Sequence, residues 1–347
     1  MIPYIIFLII ILLFYYKKNP IGILATIIVF AALRYNTGWD YVNYIDTVNT
    51  PREWNNPTKS RFSLLWTYIF MFSYNIHFPH FAIAITNIVT YIIIYHALKL
   101  LKLNRTRISQ ALIVYTLWYS LYLSSFSVIR QSISIGLGLL IFAYIQRQSY
   151  LKSILSLILA VHLHTSAIVL LLLYPIYYLR KKLNTKFILI CAIISTLGIL
   201  NLVRIMKSIP MLDEYLLYLG WKDSFGGLMV YIDFIFLAYL LLALYRIRNI
   251  SIIEIQCFFI SIMAFLGRLA IYFSGLSTTI SRVLDYFIIF IIIILLPSLK
   301  IFKDKNTITN IAVSLLSLYF LVYLLISQGG VKLASSGYVP YKFIIFN

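Results

Sequence analysis

The chain has 347 residues, of which 62% are hydrophobic and 11% charged, and its formal net charge is +19. Because a soluble domain carries about 25% charged residues, this composition excludes an ordinary soluble protein and predicts one integral membrane domain over residues 1–347. The positive charge does not indicate nucleic-acid binding, since it is spread over loops between apolar segments.

Apolar segments occur along the whole chain and predict an all-α, polytopic membrane protein of about 10–12 transmembrane helices. The predicted helices cover residues 2–16, 20–33, 78–98, 108–125, 127–145, 151–163, 165–179, 186–203, 227–245, 252–273, 282–297 and 307–327. The apolar stretch 62–73 is short for a span, and we interpret it as a re-entrant or interfacial helix. Lys17 and Lys18 follow the first apolar run, the reverse of the order in a signal peptide, so we expect that run to be retained.

The distribution of basic residues predicts how these helices are oriented. With the N-terminus outside, the cytoplasmic loops contain most of the Lys and Arg residues but only two acidic ones, Glu254 and Asp304. The basic residues of these loops are Lys17, Lys18, Lys99, Lys102, Arg105, Arg107, Arg147, Lys152, Arg180, Lys181, Lys182, Lys186, Arg246, Arg248, Lys300, Lys303 and Lys305. By the positive-inside rule, the loops 34–61 and 204–226 and the tail 328–347 therefore face outward.

Charged residues in or near spans are costly in a membrane, and we treat them as functional candidates. They are Arg34, Asp40, Arg130, Asp233, Arg268, Arg282 and Asp285, all toward the outer half of the predicted bilayer. Gly38 permits a tight turn that aims Asp40 back at the membrane surface. Asp40, beside Tyr41 and Tyr44, is suited to accept a proton from a sugar hydroxyl. The alternative is a solvated loop acid with interfacial tyrosines.

Arg130, Ser134 and Gly138 recur every four residues and share one helix face, which is small and polar like a face lining a cavity. An arginine at that position can hold a phosphate through a bidentate fork. The alternative is a packing face for a neighbouring helix, with an arginine that extends toward the interface.

His162 and His164 are two residues apart, so on a helix they point to different sides and do not share a metal. Either one is a candidate general base or hydrogen-bond donor to a substrate; the alternative is a histidine satisfied by a neighbouring helix. Cys191 and Cys257 lie inside predicted spans without metal-site spacing. We expect no metal and no cofactor.

Arg268 and Arg282 flank the short outer loop 275–281 and together could hold an anion, although an ion pair of Arg282 with Asp285 is the simpler interpretation. No nucleotide-binding or zinc-protease motif is present. A site made of arginines, one loop acid and a histidine suits a polyprenyl diphosphate substrate. The arginines neutralise the negative charge of the departing diphosphate, and a base activates the attacking hydroxyl.

Five short patterns, in order along nearly the whole chain, resemble those of the EpsG family, a branch of the Wzy-type polysaccharide polymerases. They are the R-x-x-x-G-x-D-Y-x-x-Y pattern of Arg34, Gly38, Asp40, Tyr41 and Tyr44; Arg130–Gln131; His164–Ala167; Ser281, Arg282 and Tyr286; and Val339–Lys342. The extra His162 departs from the family pattern and leaves open which histidine matters.

The resemblance implies a GT-C-like glycosyltransferase that joins undecaprenyl-diphosphate-linked oligosaccharide repeat units on the outer face of the bacterial cytoplasmic membrane. It implies no nucleic-acid partner, but a flippase and a chain-length regulator of the same pathway as possible partners. We expect His164 and Asp40 to be catalytic, with His164 as the base. The expected substrate- and diphosphate-binding residues are Arg34, Arg130, Arg268, Arg282, Tyr41, Tyr44 and Tyr286.

Three other functions compete with a polymerase. The nearest is another GT-C-like polyprenyl-linked glycosyltransferase or an O-antigen ligase, and a ligase usually has a longer outer loop in its later half than residues 204–226. A flippase of lipid-linked sugars would have polar groups on both sides of the membrane midplane, whereas here they lie in the outer half. An acyltransferase would have its histidine motif toward the cytoplasm.

Overall fold

The computed structural model describes residues 1–54, 62–184, 186–188, 190–191, 194, 226–247, 249–273, 281–326, 337–338 and 341–344. The predicted span 186–203, the predicted outer loop 204–226 and the predicted tail 328–347 therefore lie largely outside the described residues. Within them the chain is helical apart from one pair of two-residue strands. The protein is an all-α polytopic membrane protein, as the sequence predicts.

The described α-helices are α1 (Ile2–Tyr16), α2 (Pro20–Ala32), α3 (Tyr41–Asn49), α4 (Leu64–Asn75), α5 (His80–Leu100), α6 (Arg105–Leu117), α7 (Ile129–Gln146), α8 (Tyr150–Leu163), α9 (Leu173–Tyr178), α10 (Gly226–Arg246), α11 (Ile252–Phe273), α12 (Asp285–Ile288), α13 (Ile291–Ser298) and α14 (Lys305–Ile326). Short 3₁₀ helices cover Pro51–Glu53, Ser124–Phe126, Thr165–Leu172, Leu179–Lys181, Arg282–Leu284 and Leu299–Ile301. The strands are β1 (Arg34–Tyr35) and β2 (Lys342–Phe343).

In the described part of the chain, four helices are long and apolar enough to cross a membrane: α5, α7, α11 and Lys305–Leu325 of α14. The pair Arg282–Ile288 and Ile291–Ile301 is bent by 54° and would make a fifth span if its halves cross together. The helices α1, α2 and α8 are apolar but shorter, as their sequences predict.

Three predicted spans are not continuous α-helices, and one of them is 282–297, which forms the bent pair described above. The predicted helix 108–125 ends at Leu117, because Trp118 turns to an extended backbone conformation. The predicted helix 165–179 begins as the 3₁₀ segment Thr165–Leu172 before α9. The stretch 62–73 does form a helix, α4, as expected.

Helix starts follow from local sequence. Asn19 precedes Pro20, and its side chain accepts a hydrogen bond from the Gly22 amide at 3.2 Å. This is a capped helix start with proline in the first turn, where the missing N–H costs nothing. Asn104 caps α6 in the same way, accepting from the Arg107 amide at 2.9 Å.

The chain divides into two compact units, Met1–Ile168 with Thr309–Asn347, and Val169–Ile308. In the first unit, α7 packs between α5 and α8 and is almost wholly buried. Gly136 faces α5, and a Cβ there would lie 3.3 Å from Ile94 Cγ1 and 3.4 Å from the Thr90 carbonyl oxygen. Ser134 Oγ donates to the Ala160 carbonyl at 3.0 Å and so ties α7 to α8.

The C-terminal segment folds back over the loop that follows α2. Strand β2 pairs antiparallel with β1, Arg34 opposite Phe343. The Gly38 amide donates to the Gly337 carbonyl at 3.3 Å, and the Tyr4 hydroxyl donates to the Tyr338 carbonyl at 2.7 Å. These bonds attach the described part of the predicted outer tail to α1 and to the start of the first predicted outer loop.

The second unit contains a buried ionic group on α10, α11 and α12. Arg268 lies 3.3 Å from the Asp233 carboxylate and 4.0 Å from that of Asp285. All three side chains are almost inaccessible to solvent. Since a buried charge is tolerated only when it is paired, Arg268 is the counter-ion that allows both acids to lie in this apolar helix group.

Candidate functional site

Arg34 anchors the loop between α2 and α3. Its guanidinium is fully buried and donates to three backbone carbonyls, of Thr37 at 3.1 Å, Ala31 at 2.9 Å and Phe126 at 3.1 Å. It also stacks over the Phe126 ring, 4.5 Å from the centroid. Because these bonds use each of its three nitrogens, Arg34 holds the loop in this structure, and its substrate-binding role stays a prediction.

Gly38 makes the tight turn that the sequence predicts. Its φ is +107°, and a Cβ at this position would lie 2.3 Å from the Phe126 carbonyl oxygen. Directly after the turn, the Trp39 amide donates to Ser127 Oγ at 3.0 Å. Asp40 is the N-cap residue of α3, so the turn sets where its carboxylate emerges.

We expect Gly38→Ala to destabilise the protein by at least about 2 kcal/mol, because a side chain is strained at this φ and would displace the Phe126 carbonyl. Thermal unfolding of the purified protein in detergent measures the change. Gly136→Ala is the control; its Cβ would meet its nearest neighbour at 3.3 Å, and a small adjustment accommodates it. Equal melting temperatures for Gly38→Ala and wild type would contradict this account of the turn.

One face of α3 lines a cavity of about 150 Å³. Its lining residues are Asp40, Asn43, Tyr44, Thr47, Phe62 and Arg130. Three residues selected from the sequence, on two distant segments, therefore meet in one place: Asp40, Tyr44 and Arg130. Asn43, Thr47 and Phe62 carried no signal that would have selected them.

Arg130 is the cation of this cavity and sits in the first turn of α7. Its guanidinium lies over the Phe62 ring, 4.8 Å from the centroid. Its Nε is buried and has no hydrogen-bond partner in the described part of the chain. Burial raises the pKa of Tyr44, and the nearby positive charge of Arg130 opposes that rise. An arginine beside a helix N-terminus, with donor capacity left over, is suited to bind an anion.

His164 lies in the break between α8 and the 3₁₀ segment that follows. Its Nδ1 is 2.7 Å from Ser166 Oγ. Burial, and then the positive charge of Arg130, lower the pKa of His164 from 6.5 to about 4. His164 is therefore a neutral imidazole at pH 7 and within electrostatic range of Arg130.

His162 differs from His164 in each of these respects. Its side chain is exposed, and its Nε2 lies 3.5 Å from the Leu65 amide, at the limit of a hydrogen bond. The two histidines thus point to different environments, as their spacing predicts.

Tyr41 and Tyr44 of α3 line different cavities, although the sequence grouped the two. The His80 Nε2 is 2.6 Å from the Ala32 carbonyl oxygen, which can only accept, so Nε2 carries the proton. In a neutral ring Nδ1 then accepts from the Tyr41 hydroxyl at 3.0 Å. His80 was missed because it begins an apolar span and no motif marks it.

The remaining candidates belong to the second unit. Arg268 faces Asp233 and Asp285, and Tyr286 is fully buried. The binding roles of Arg268 and Tyr286 stay predictions. Arg282 is exposed at the start of its 3₁₀ turn. The loop 275–281, where a shared anion site was predicted, lies outside the described residues except for Ser281.

No group of three His, Cys, Asp or Glu residues in the described ranges could hold a metal ion. Comparison with protein families matches the EpsG family over residues 20–343, nearly the whole chain. Comparisons with curated proteins and with solved structures give no match.

Proposed function

Because this chain belongs to the EpsG family and is a membrane protein of polysaccharide biosynthesis, we propose that it is a Wzy-type polysaccharide polymerase. In this proposal it is a glycosyltransferase that joins undecaprenyl-diphosphate-linked oligosaccharide repeat units, with a flippase and a chain-length regulator as pathway partners. The observation that carries the proposal is the cavity in which Arg130 and Tyr44 meet Asp40, with His164 nearby.

Arg130 is assigned to the diphosphate. A guanidinium holds phosphate oxygens through paired, charge-assisted hydrogen bonds, and the N-terminus of α7 adds a favourable dipole. Negative charge grows on the diphosphate as the bond to the anomeric carbon breaks. A fixed cation in a partly water-excluded cavity therefore stabilises the transition state more than the ground state.

His164 is assigned to the acceptor hydroxyl. The hydroxyl oxygen forms a bond to the anomeric carbon, the carbon–oxygen bond to the diphosphate breaks, and the hydroxyl proton passes to His164. The diphosphate leaves with the bonding electron pair. Asp40 accepts a hydrogen bond from the acceptor sugar and orients it.

Substrate binding would also make His164 a better base. Its pKa is low partly because of the positive charge of Arg130. A bound diphosphate neutralises that charge and adds negative charge beside the imidazole, which raises the pKa of His164. The base then becomes effective when the donor is in place.

The proposed location is the bacterial cytoplasmic membrane, with this cavity facing the periplasm or exterior. The support is the basic composition of the opposite loops, which the positive-inside rule places in the cytoplasm. A lipid-linked repeat unit that a flippase has moved across the membrane would reach a site on the outer face.

Cysteine labelling tests this orientation. In a chain with Cys191 and Cys257 replaced, we expect Thr50→Cys to react with an impermeant thiol reagent in intact cells. Asn184→Cys should react only after permeabilisation, because it follows a basic cluster. Both positions are exposed. Labelling of Asn184→Cys from outside intact cells would contradict the orientation.

Deletion of the gene tests the activity. We expect surface polysaccharide that stops at one repeat unit on its lipid carrier or core, and full-length chains when the wild-type gene is restored. Full-length polymer that stays on its lipid carrier would indicate a ligase. Repeat units that accumulate on the cytoplasmic side would indicate a flippase.

A further inference from the structure

A second cavity lies on the other face of α3. It has a volume of about 350 Å³ and is lined by Tyr35, Asn36, Tyr41, Val42, Ile45, Phe78, Pro79, His80 and Ile344. Helix α3 separates it from the Arg130 cavity, since residues 41, 42 and 45 point one way and residues 40, 43, 44 and 47 the other. Pockets that bind small ligands typically measure about 300–1,000 Å³ and combine apolar walls with a few polar groups.

The described walls of this second cavity offer an anion no charged partner. No Lys, Arg, Asp or Glu is among the lining residues that the structure describes. His80 has the hydrogen-bond arrangement of a neutral imidazole, donating to the Ala32 carbonyl and accepting from Tyr41. We therefore assign the diphosphate to the Arg130 cavity and a neutral group to this one.

The walls combine accessible aromatic rings with polar atoms. Phe78 is 43% exposed and Tyr35 36% exposed, so ring surface is available to a ligand. Asn36 lines the same cavity, and its Oδ1 is buried without a hydrogen-bond partner among the described residues. A hydrocarbon chain would leave the Asn36 amide unsatisfied, which is costly. A sugar ring presents hydroxyls to the amide and C–H groups to the aromatic rings.

We propose that this second cavity binds a neutral sugar ring of the oligosaccharide, one that does not react. The proposal rests on the function proposed above and assigns it a positioning subsite. Tyr41, Val42 and Ile45 of α3 also line this cavity. A sugar held there against Phe78 and Asn36 would therefore contact the helix that presents Asp40 and Tyr44. Binding energy from the non-reacting part of the substrate would thereby orient the reacting part.

Direct binding to the purified protein tests this subsite. The probes are the free oligosaccharide released by mild acid from the host's lipid-linked repeat unit, inorganic diphosphate, and geranylgeraniol as a hydrocarbon. We expect Phe78→Ala and Asn36→Gly each to weaken oligosaccharide binding about tenfold, the loss of one ring or amide contact. Diphosphate binding should stay at the wild-type level. Glycine suits Asn36, whose φ is +44°, so this variant keeps the backbone.

Matched controls are Phe72→Ala, which removes a 51% exposed ring outside both cavities, and Asn49→Gly at an exposed position of α3. Both should bind all probes like wild type. Unchanged oligosaccharide binding in both test variants, or no binding to wild type, overturns the proposal. So does weaker geranylgeraniol binding with oligosaccharide binding intact, which would assign the cavity to hydrocarbon. These assays need no turnover. A deletion strain that still polymerises would refute the polymerase without affecting them.

Discussion

Arg130→Lys should reduce polymerisation by about 10²–10³-fold, the usual cost of losing one preorganised donor to developing negative charge. Lysine keeps the positive charge but has no planar fork, so it cannot hold two phosphate oxygens at once. It also loses the flat guanidinium that lies over Phe62. We expect the variant to remain folded in the membrane and to make short polymer.

The rate is measured with purified protein and lipid-linked repeat units, and polymer length on a gel. Arg52→Lys is the matched control, since Arg52 is exposed in the 3₁₀ turn after α3 and does not line the Arg130 cavity. Wild-type polymer length from Arg130→Lys at normal expression would make this arginine structural. Arg282→Lys, the second arginine selected from the sequence, tests separately whether the second unit contributes to the reaction.

The loop after α2 shows both the reach and the limit of sequence reasoning. Gly38 before Asp40 indicates a tight turn, and the structure has one, with a φ of +107°. The role of Arg34 was not predictable, because one of its partners is the Phe126 carbonyl, 92 residues away in sequence. Because every residue has a backbone carbonyl, the sequence cannot indicate which carbonyl accepts a hydrogen bond from a distant side chain.

The helix pattern was predictable in kind but not in detail. Apolar stretches predict an all-α membrane protein, since a chain in hydrocarbon must satisfy its own backbone. They do not predict where a helix unwinds, because packed neighbours can satisfy the freed backbone groups instead. The end of α6 at Leu117 and the 54° bend before Ile291 are of this kind.

The part of the candidate site that lies in recognisable sequence motifs could be predicted. Asp40, Tyr44 and Arg130 were selected from spacing and charge, and the structure places them in one cavity. To predict that Tyr41 and Tyr44 line different cavities, one must know how α3 is oriented relative to α5, and the sequence does not give that orientation. His80 was invisible for the same reason, since its hydrogen bonds to Tyr41 and Ala32 are tertiary contacts.

The second large expected effect depends on whether His164 or Asp40 is the general base. Asp40 lines the same cavity as Arg130. His164 is close enough to Arg130 for the positive charge of the guanidinium to lower the pKa of the imidazole. The pKa of His164 is about 4, so the imidazole is neutral at pH 7 but a weak base until its pKa rises. A diphosphate on Arg130 raises that pKa, whereas without substrate Arg130 holds it down.

We therefore expect His164→Ala to lower the rate of polymerisation by about 10²–10⁴-fold, the range for a lost general base, while His162→Ala has no effect. Asp40→Asn keeps a hydrogen-bonding oxygen and should retain more activity than Asp40→Ala. In wild type, kcat/KM should rise with pH through about 4, where free His164 loses its proton. The rise of kcat should occur at higher pH, because the bound diphosphate raises the pKa of His164. If Asp40→Asn is inactive and His164→Ala active, the two residues exchange roles: Asp40 takes the proton, and His164 orients the acceptor.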